Sequence, residues 1–132
     1  MSDYVRNKVV RCRATEELFG TTDPFEIEKK FEDLFSLDLN LPRFDVAPTE
    51  KGFIDLVLSH TYGEECGDFG HARMLTEKEL EVFLPYFRKI APNVTAEDLR
   101  YVDYCWYNCS EAPDYFEVED DELDLDNFPR LE

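Results

Sequence analysis

Thr76-Glu77-Lys78-Glu79-Leu80-Glu81-Val82-Phe83-Leu84-Pro85-Tyr86-Phe87, followed by Tyr101-Val102-Asp103-Tyr104-Cys105-Trp106-Tyr107-Asn108-Cys109, sets a helical repeat shortly ahead of a strand. Thr76 and Glu79 have the spacing of a capping box, in which each side chain satisfies a backbone N–H of the first turn. Leu80, Phe83, Leu84 and Phe87 then fall on one helical stripe. Pro85 has no N–H to donate, so it predicts a kink or the end of the helix's first half. Thr95 and Asp98 predict one further capped turn. The aromatic run Tyr101 to Cys109 reads as a strand, with Tyr101, Tyr104, Trp106 and Tyr107 as core residues or, alternatively, partner contacts.

Working backward, Phe53 to His60 alternates Ile54, Leu56 and Leu58 onto one face, the period of a strand. Gly63, Gly67 and Gly70 interrupt the chain after it, and Pro42 and Pro48 make the stretch before it a loop. An earlier helix begins at Asp23, with Pro24 at its first position and Glu26 three residues after the cap. Its stripe is Ile27, Phe31, Leu34 and Phe35. Tyr4 to Cys12 is the first strand; Arg6, Lys8 and Arg11 predict that one of its sides is wet. Working forward, Tyr115 to Val118 is a fourth strand. The order β-α-β-α-β-β predicts an α+β fold, a small mostly antiparallel sheet with helices packed on one face. A ferredoxin-like topology is one arrangement compatible with that order. Residues 1–118 form one domain in this reading, and 119–132 an acidic C-terminal segment.

The chain's 132 residues include 31 acids and 14 Lys and Arg, a formal charge of −17. Leu, Ile, Val and Phe make up 28% of it, above the roughly 20% below which acidic chains fail to bury a core. No apolar run approaches the ~20 residues of a membrane span. The first residues have no basic stretch leading into an apolar one, so no secretory signal is expected. Four cysteines in that setting are expected as thiols, and the protein in the cytoplasm. Negative charge also opposes direct binding of nucleic acid.

Enzymatic chemistry has few footholds. GxSxG, HExxH, GxGxxG and a phosphate-binding loop ahead of Lys are all missing from the sequence. No catalytic residue and no cofactor are therefore expected. Cys66, His71, Cys105 and Cys109 have the ligand types of a zinc site, but neither cysteine pair has CxxC spacing, and no metal is expected. Asp120, Glu122, Asp124 and Asp126 alternate as in a calcium loop. From Asp120, however, the required Gly and Glu positions hold Leu125 and Leu131.

Charge is distributed unevenly. Met1 to Arg13 is net +3, whereas Glu111 to Glu132 is net −9. Acids of the latter stretch are interleaved with Tyr115, Phe116, Val118, Leu123, Leu125 and Phe128, which a purely solvating tail would not need. On an extended strand Glu122, Asp124 and Asp126 would stand ~6.6 Å apart on one side, a step comparable to successive phosphates of a nucleic acid. Leu123 and Leu125 would face the other way for packing. The loop around Cys66 adds Glu64, Glu65 and Asp68. The expected partner-binding set is thus Glu64, Glu65, Asp68, Asp114, Glu117, Glu119, Asp120, Asp121, Glu122, Asp124 and Asp126.

The phrases Gly67-Asp68-Phe69-Gly70-His71 and Ser110-Glu111-Ala112-Pro113-Asp114-Tyr115-Phe116, in a short acidic domain without catalytic motifs, resemble the small inhibitors that phages and mobile elements carry against host defence, especially anti-CRISPR proteins. That resemblance implies a protein partner with a basic DNA- or RNA-binding groove, such as an RNA-guided CRISPR nuclease, which the acids would occupy as a nucleic-acid mimic. The competing expectation is a non-enzymatic interaction or structural protein whose acidity only maintains solubility.

Overall fold

The computed structural model describes residues 4–35, 41–47, 52–62, 69–107, 115–117, 125 and 128–131. For 4, 5, 62, 69, 70, 105–107 and 115–117 it describes the backbone alone. Strand β1 is Tyr4–Arg13. A four-residue helix α1, Glu16–Phe19, follows, with Thr15 accepting from the Leu18 N–H. It ends at Gly20, whose φ of 76° is the left-handed conformation that closes a helix and that glycine adopts without a Cβ clash. Helix α2 is Pro24–Phe35; the Asp23 carboxylate caps it by accepting from the Phe25 N–H at 3.0 Å. Then come β2 (Arg43–Val46), β3 (Phe53–Tyr62), β4 (Phe69–Arg73), α3 (Glu77–Arg88), a short 3₁₀ turn at Ala96–Asp98, β5 (Leu99–Tyr107) and β6 (Tyr115–Glu117).

The six strands among the described residues form one sheet in the order β2-β3-β1-β5-β4-β6. Every neighbouring pair is antiparallel except β4 and β6, which are parallel. Within it, β2-β3-β1-β5 interleaves two split βαβ units, β1-α2-β2 and β3-α3-β5, the order of a ferredoxin-like sheet. Strand β4 is inserted between β3 and α3, and with β6 it widens the sheet beyond β5. The fold is α+β.

Helices α2 and α3 share one face of that sheet. Val10 and Cys12 of β1, Ile54 and Leu56 of β3, Phe44 of β2 and Leu99 of β5 form one buried cluster with Ile27 and Phe31 of α2 and Val82, Phe83, Tyr86 and Phe87 of α3. Its centre is aromatic: the Phe31 and Phe44 rings stack with centroids 3.7 Å apart, and Phe87 meets Phe44 edge-on at 5.2 Å. Because strand side chains alternate, Val9, Val57, Ala72, Val102 and Tyr104 form a second cluster on the opposite face. Register slips by one residue between Lys8 and Val9, leaving Leu58 of β3 as the extra residue of a bulge.

Several sequence expectations need correction. Pro42 to Pro48 is not all loop, since β2 occupies Arg43–Val46 and buries Phe44. Gly70 does not break the chain; it lies in β4, paired with Tyr104. Of the kink or end expected at Pro85, the end does not occur: α3 continues to Arg88, and Tyr86 and Phe87 beyond the proline are fully buried. The α3 stripe is rotated, with Val82 and Tyr86 inside and Leu80 and Leu84 half-buried. On α2, Leu34 is exposed. The wet side expected for β1 also fails at Arg11, which is buried.

The chain's end belongs to the helical layer. Leu125, Phe128 and Leu131 pack against the main cluster. Phe128 meets the Phe83 ring edge-on at 5.2 Å, and the Tyr86 hydroxyl donates to the Pro129 carbonyl.

Candidate partner-binding surface

Thirteen of the 14 basic residues lie among the described residues, but only 16 of the 31 acids. The described scaffold is therefore close to neutral, and most of the −17 belongs to the intervening and terminal stretches. Of the expected partner-binding set, Glu117 stands on β6. Glu64, Glu65, Asp68, Asp114, Glu119, Asp120, Asp121, Glu122, Asp124 and Asp126 lie outside the described residues.

Where those stretches attach is fixed by register. Tyr62, which precedes 63–68, is opposite Val5, and Phe69, which follows, is opposite Cys105. Tyr107, which precedes 108–114, is opposite Tyr4, while Tyr115 opens β6 opposite Gly70. All four attachment points thus stand at one end of the sheet, the end where β1 begins. The sequence separates Glu64 from Asp114 by 50 positions, and only strand order brings their attachments to a common end. Glu117 leaves the sheet at Ala72, and Leu125 packs on the helical layer. The stretch with the most acids is accordingly flanked on both sides by residues attached to the domain.

Inside the scaffold, several arginines are paired with carboxylates. Arg11 Nε and Nη2 donate to the two Asp55 carboxylate oxygens at 2.7 and 2.9 Å, with both residues buried. Arg73 forks onto Glu79 at 2.7 and 2.8 Å, while Glu79 also accepts from the Thr76 N–H, completing the expected capping box. Arg6 reaches Asp103 at 2.9 Å, and Arg13 pairs with Asp98. Burial works against ionisation of Glu79 and Asp98. The hydrogen bonds from Arg73 and Thr76, and from Arg13 and Thr95, outweigh it and hold both carboxyls below their ordinary pKa. Glu28 is the opposite case: burial, then the nearby Asp45, pushes its pKa up, although it accepts from the Val46 N–H on edge strand β2. The sequence carried these basic residues but not their partners, because every pair except Arg73–Glu79 joins residues more than forty positions apart.

Asn7 donates to the Tyr104 hydroxyl at 3.0 Å and its amide oxygen contacts His60 Nδ1. Burial, and then Arg43, lowers the His60 pKa, which favours the neutral ring. Cys12 is a free thiol whose burial pushes its pKa up, away from the thiolate that a nucleophile needs. Among the described residues no three His, Cys, Asp or Glu side chains gather as metal ligands. Of the weighed zinc set, His71 sits on β4 opposite Asp103, while Cys66 and Cys109 lie outside the described residues. Tyr101 and Tyr104 are buried core residues. No described helix is long and apolar enough to cross a membrane. Comparison of the chain with family models, curated proteins and solved structures returns no match.

Proposed function

We propose that this chain is a non-enzymatic inhibitor, acting in the cytoplasm, that occupies a basic DNA- or RNA-binding groove of a host-defence nuclease, RNA-guided CRISPR nucleases being the class its resemblance implies. One observation carries the reading: the acid-bearing stretches 63–68 and 108–114 attach at a common end of the sheet, and 111–132, which overlaps the second of them, is net −9. Acidity that served solubility alone would be spread over helices and strands, as solvated charge usually is. Segregated acidity instead creates a local field that a basic groove recognises at long range. Neutral internal pairs such as Arg11–Asp55 and Arg73–Glu79 also keep the scaffold's own cations from neutralising those acids.

The deciding experiment is a salt series of dissociation constants against a purified RNA-guided nuclease, with DNA as competitor. Wild type should compete with DNA, and its affinity should fall as salt rises. Reversing Glu122, Asp124 and Asp126 to Lys should weaken binding by orders of magnitude while leaving the denaturation midpoint nearly unchanged. Unchanged affinity and salt slope in that variant would exclude this surface, and simultaneous binding of inhibitor and DNA would exclude mimicry.

A further inference from the structure

The sheet face away from α2 and α3 holds a cleft of about 340 Å³ near the end where β1 finishes, lined by Arg11, Arg13 and Arg100 with Phe53, Ala72 and Val102, and closed on one side by Glu97 and Asp98. Its place follows from register. Arg11 is opposite Arg100, Arg13 is opposite Phe53, and Ala72 is opposite Val102, so all six side chains alternate onto the same face. The volume is at the small end of the range for sites that bury a small molecule.

The three guanidinium groups are not equivalent. Arg11 is neutralised by Asp55 beside it, and Arg13 by Asp98 on the rim. Arg100 is exposed and donates from Nη1 to the carbonyls of Glu97 and Leu99, at 2.9 and 2.7 Å. Those bonds fix one side of the guanidinium. Among the described residues, its Nε and Nη2 donors have no partner. That remaining edge is the fork that matches a carboxylate bidentately.

We propose that this cleft is a binding site for a small monocarboxylate carried on a flat apolar body, with the carboxylate on the Arg100 fork and the body against Phe53, Ala72 and Val102. The balance of charge selects the ligand. Three guanidiniums are opposed by the carboxylates of Asp55, Glu97 and Asp98, so a polyphosphate finds no surplus of cations, whereas one carboxylate needs only the fork. The apolar floor and the arginine stems favour a body that displaces water over a fully hydrated anion. The attachments of 63–68 and 108–114 stand toward the other end of β1, whereas Glu117, which precedes 118–124, pairs with Ala72 of the cleft lining.

The test is a titration of the ¹⁵N-labelled full chain with three probes: benzoate, benzyl alcohol and inorganic phosphate. Benzoate should give saturable shifts at the amides of Arg11, Arg13, Ala72, Arg100 and Val102. Its affinity should fall about tenfold or more in Arg100→Gln, the loss expected for a charge-assisted bidentate contact, with an unchanged denaturation midpoint because Arg100 is exposed. Benzyl alcohol and phosphate should each bind at least tenfold more weakly than benzoate. The proposal is overturned if benzoate produces no saturable shift at these amides, or if Arg100→Gln binds it equally well. Benzyl alcohol binding as tightly would show an apolar crevice only, and phosphate binding as tightly would show a general anion site; either result also overturns it.

Discussion

Arg11 and Asp55 stand opposite each other on β1 and β3 and make a two-pronged ion pair in which the arginine is 3% and the aspartate 1% exposed. Both carboxylate oxygens are engaged, and the guanidinium lies 5.1 Å from the Tyr104 ring centroid. A buried pair costs much desolvation, so its worth shows mainly when one member is removed. Asp55→Ala should destabilise by about 3–5 kcal/mol, leaving a buried cation without its counter-charge. The double change Arg11→Met with Asp55→Leu should lose markedly less. Urea denaturation of the three proteins measures both, and a double variant as unstable as Asp55→Ala would contradict this account.

Phe31 sits between the Phe44 ring, the Phe87 edge and the Phe19 edge, all within 6.2 Å between centroids. Phe31→Ala should cost about 3–5 kcal/mol, the usual loss for a fully buried phenyl group. Leu34→Ala, three residues along the same helix, should move stability by less than about 0.5 kcal/mol because Leu34 is 49% exposed. Equal losses at the two positions would place the buried face of α2 wrongly.

Phe128→Ala should destabilise by about 1–3 kcal/mol, less than a core phenylalanine because its ring is only half-buried against Phe83. Thermal melts of this variant and of a chain ending at residue 124 should both show lowered midpoints. An unchanged midpoint in the shortened chain would mean that Leu125, Phe128 and Leu131 contribute no net stability.

Stability should pass through a maximum on the acid side of neutrality. Glu28 has a raised folded-state pKa, so the folded state binds its proton more tightly, and lowering pH through that pKa gains stability. Glu79 and Asp98 have depressed pKa values; their contribution is complete above the ordinary carboxylate range and is lost as pH falls through the folded values. Relief of repulsion among the excess acids acts in the same direction as Glu28. Melting temperature against pH should therefore rise and then fall as acid is added, and Glu79→Gln should flatten the acid limb. A melting temperature that climbs steadily from mild acid to pH 9 would refute the argument.

Local pattern made much of the scaffold legible. The Thr76–Glu79 capping box, the Asp23 cap and the alternation of Ile54 and Leu56 each depend on residues within a few positions, and each is present in the structure. Strands β2 and β4 escaped because four or five residues with a glycine or flanking prolines carry too little periodicity to register. They exist because neighbours already in the sheet supply their hydrogen bonds. The exact faces of α2 and α3 escaped for a related reason. Leu34, Leu80 and Leu84 are as apolar as the residues that were buried, and only the position of the facing sheet selects among them.

By itself, the sequence determined the α+β class, the two amphipathic helices, the excess of acid and its concentration in a few stretches, because composition and short-range periodicity are properties of neighbouring residues. Tertiary structure alone decided which acids are internal counter-ions, that the attachments of 63–68 and 108–114 share one end of the sheet, and that Arg11, Arg13 and Arg100 line one cleft. Each of those facts depends on strand order and register. Pairing between β1, β3 and β5 joins residues separated by tens of positions, and its energy comes from burying both faces of the sheet rather than from any local preference.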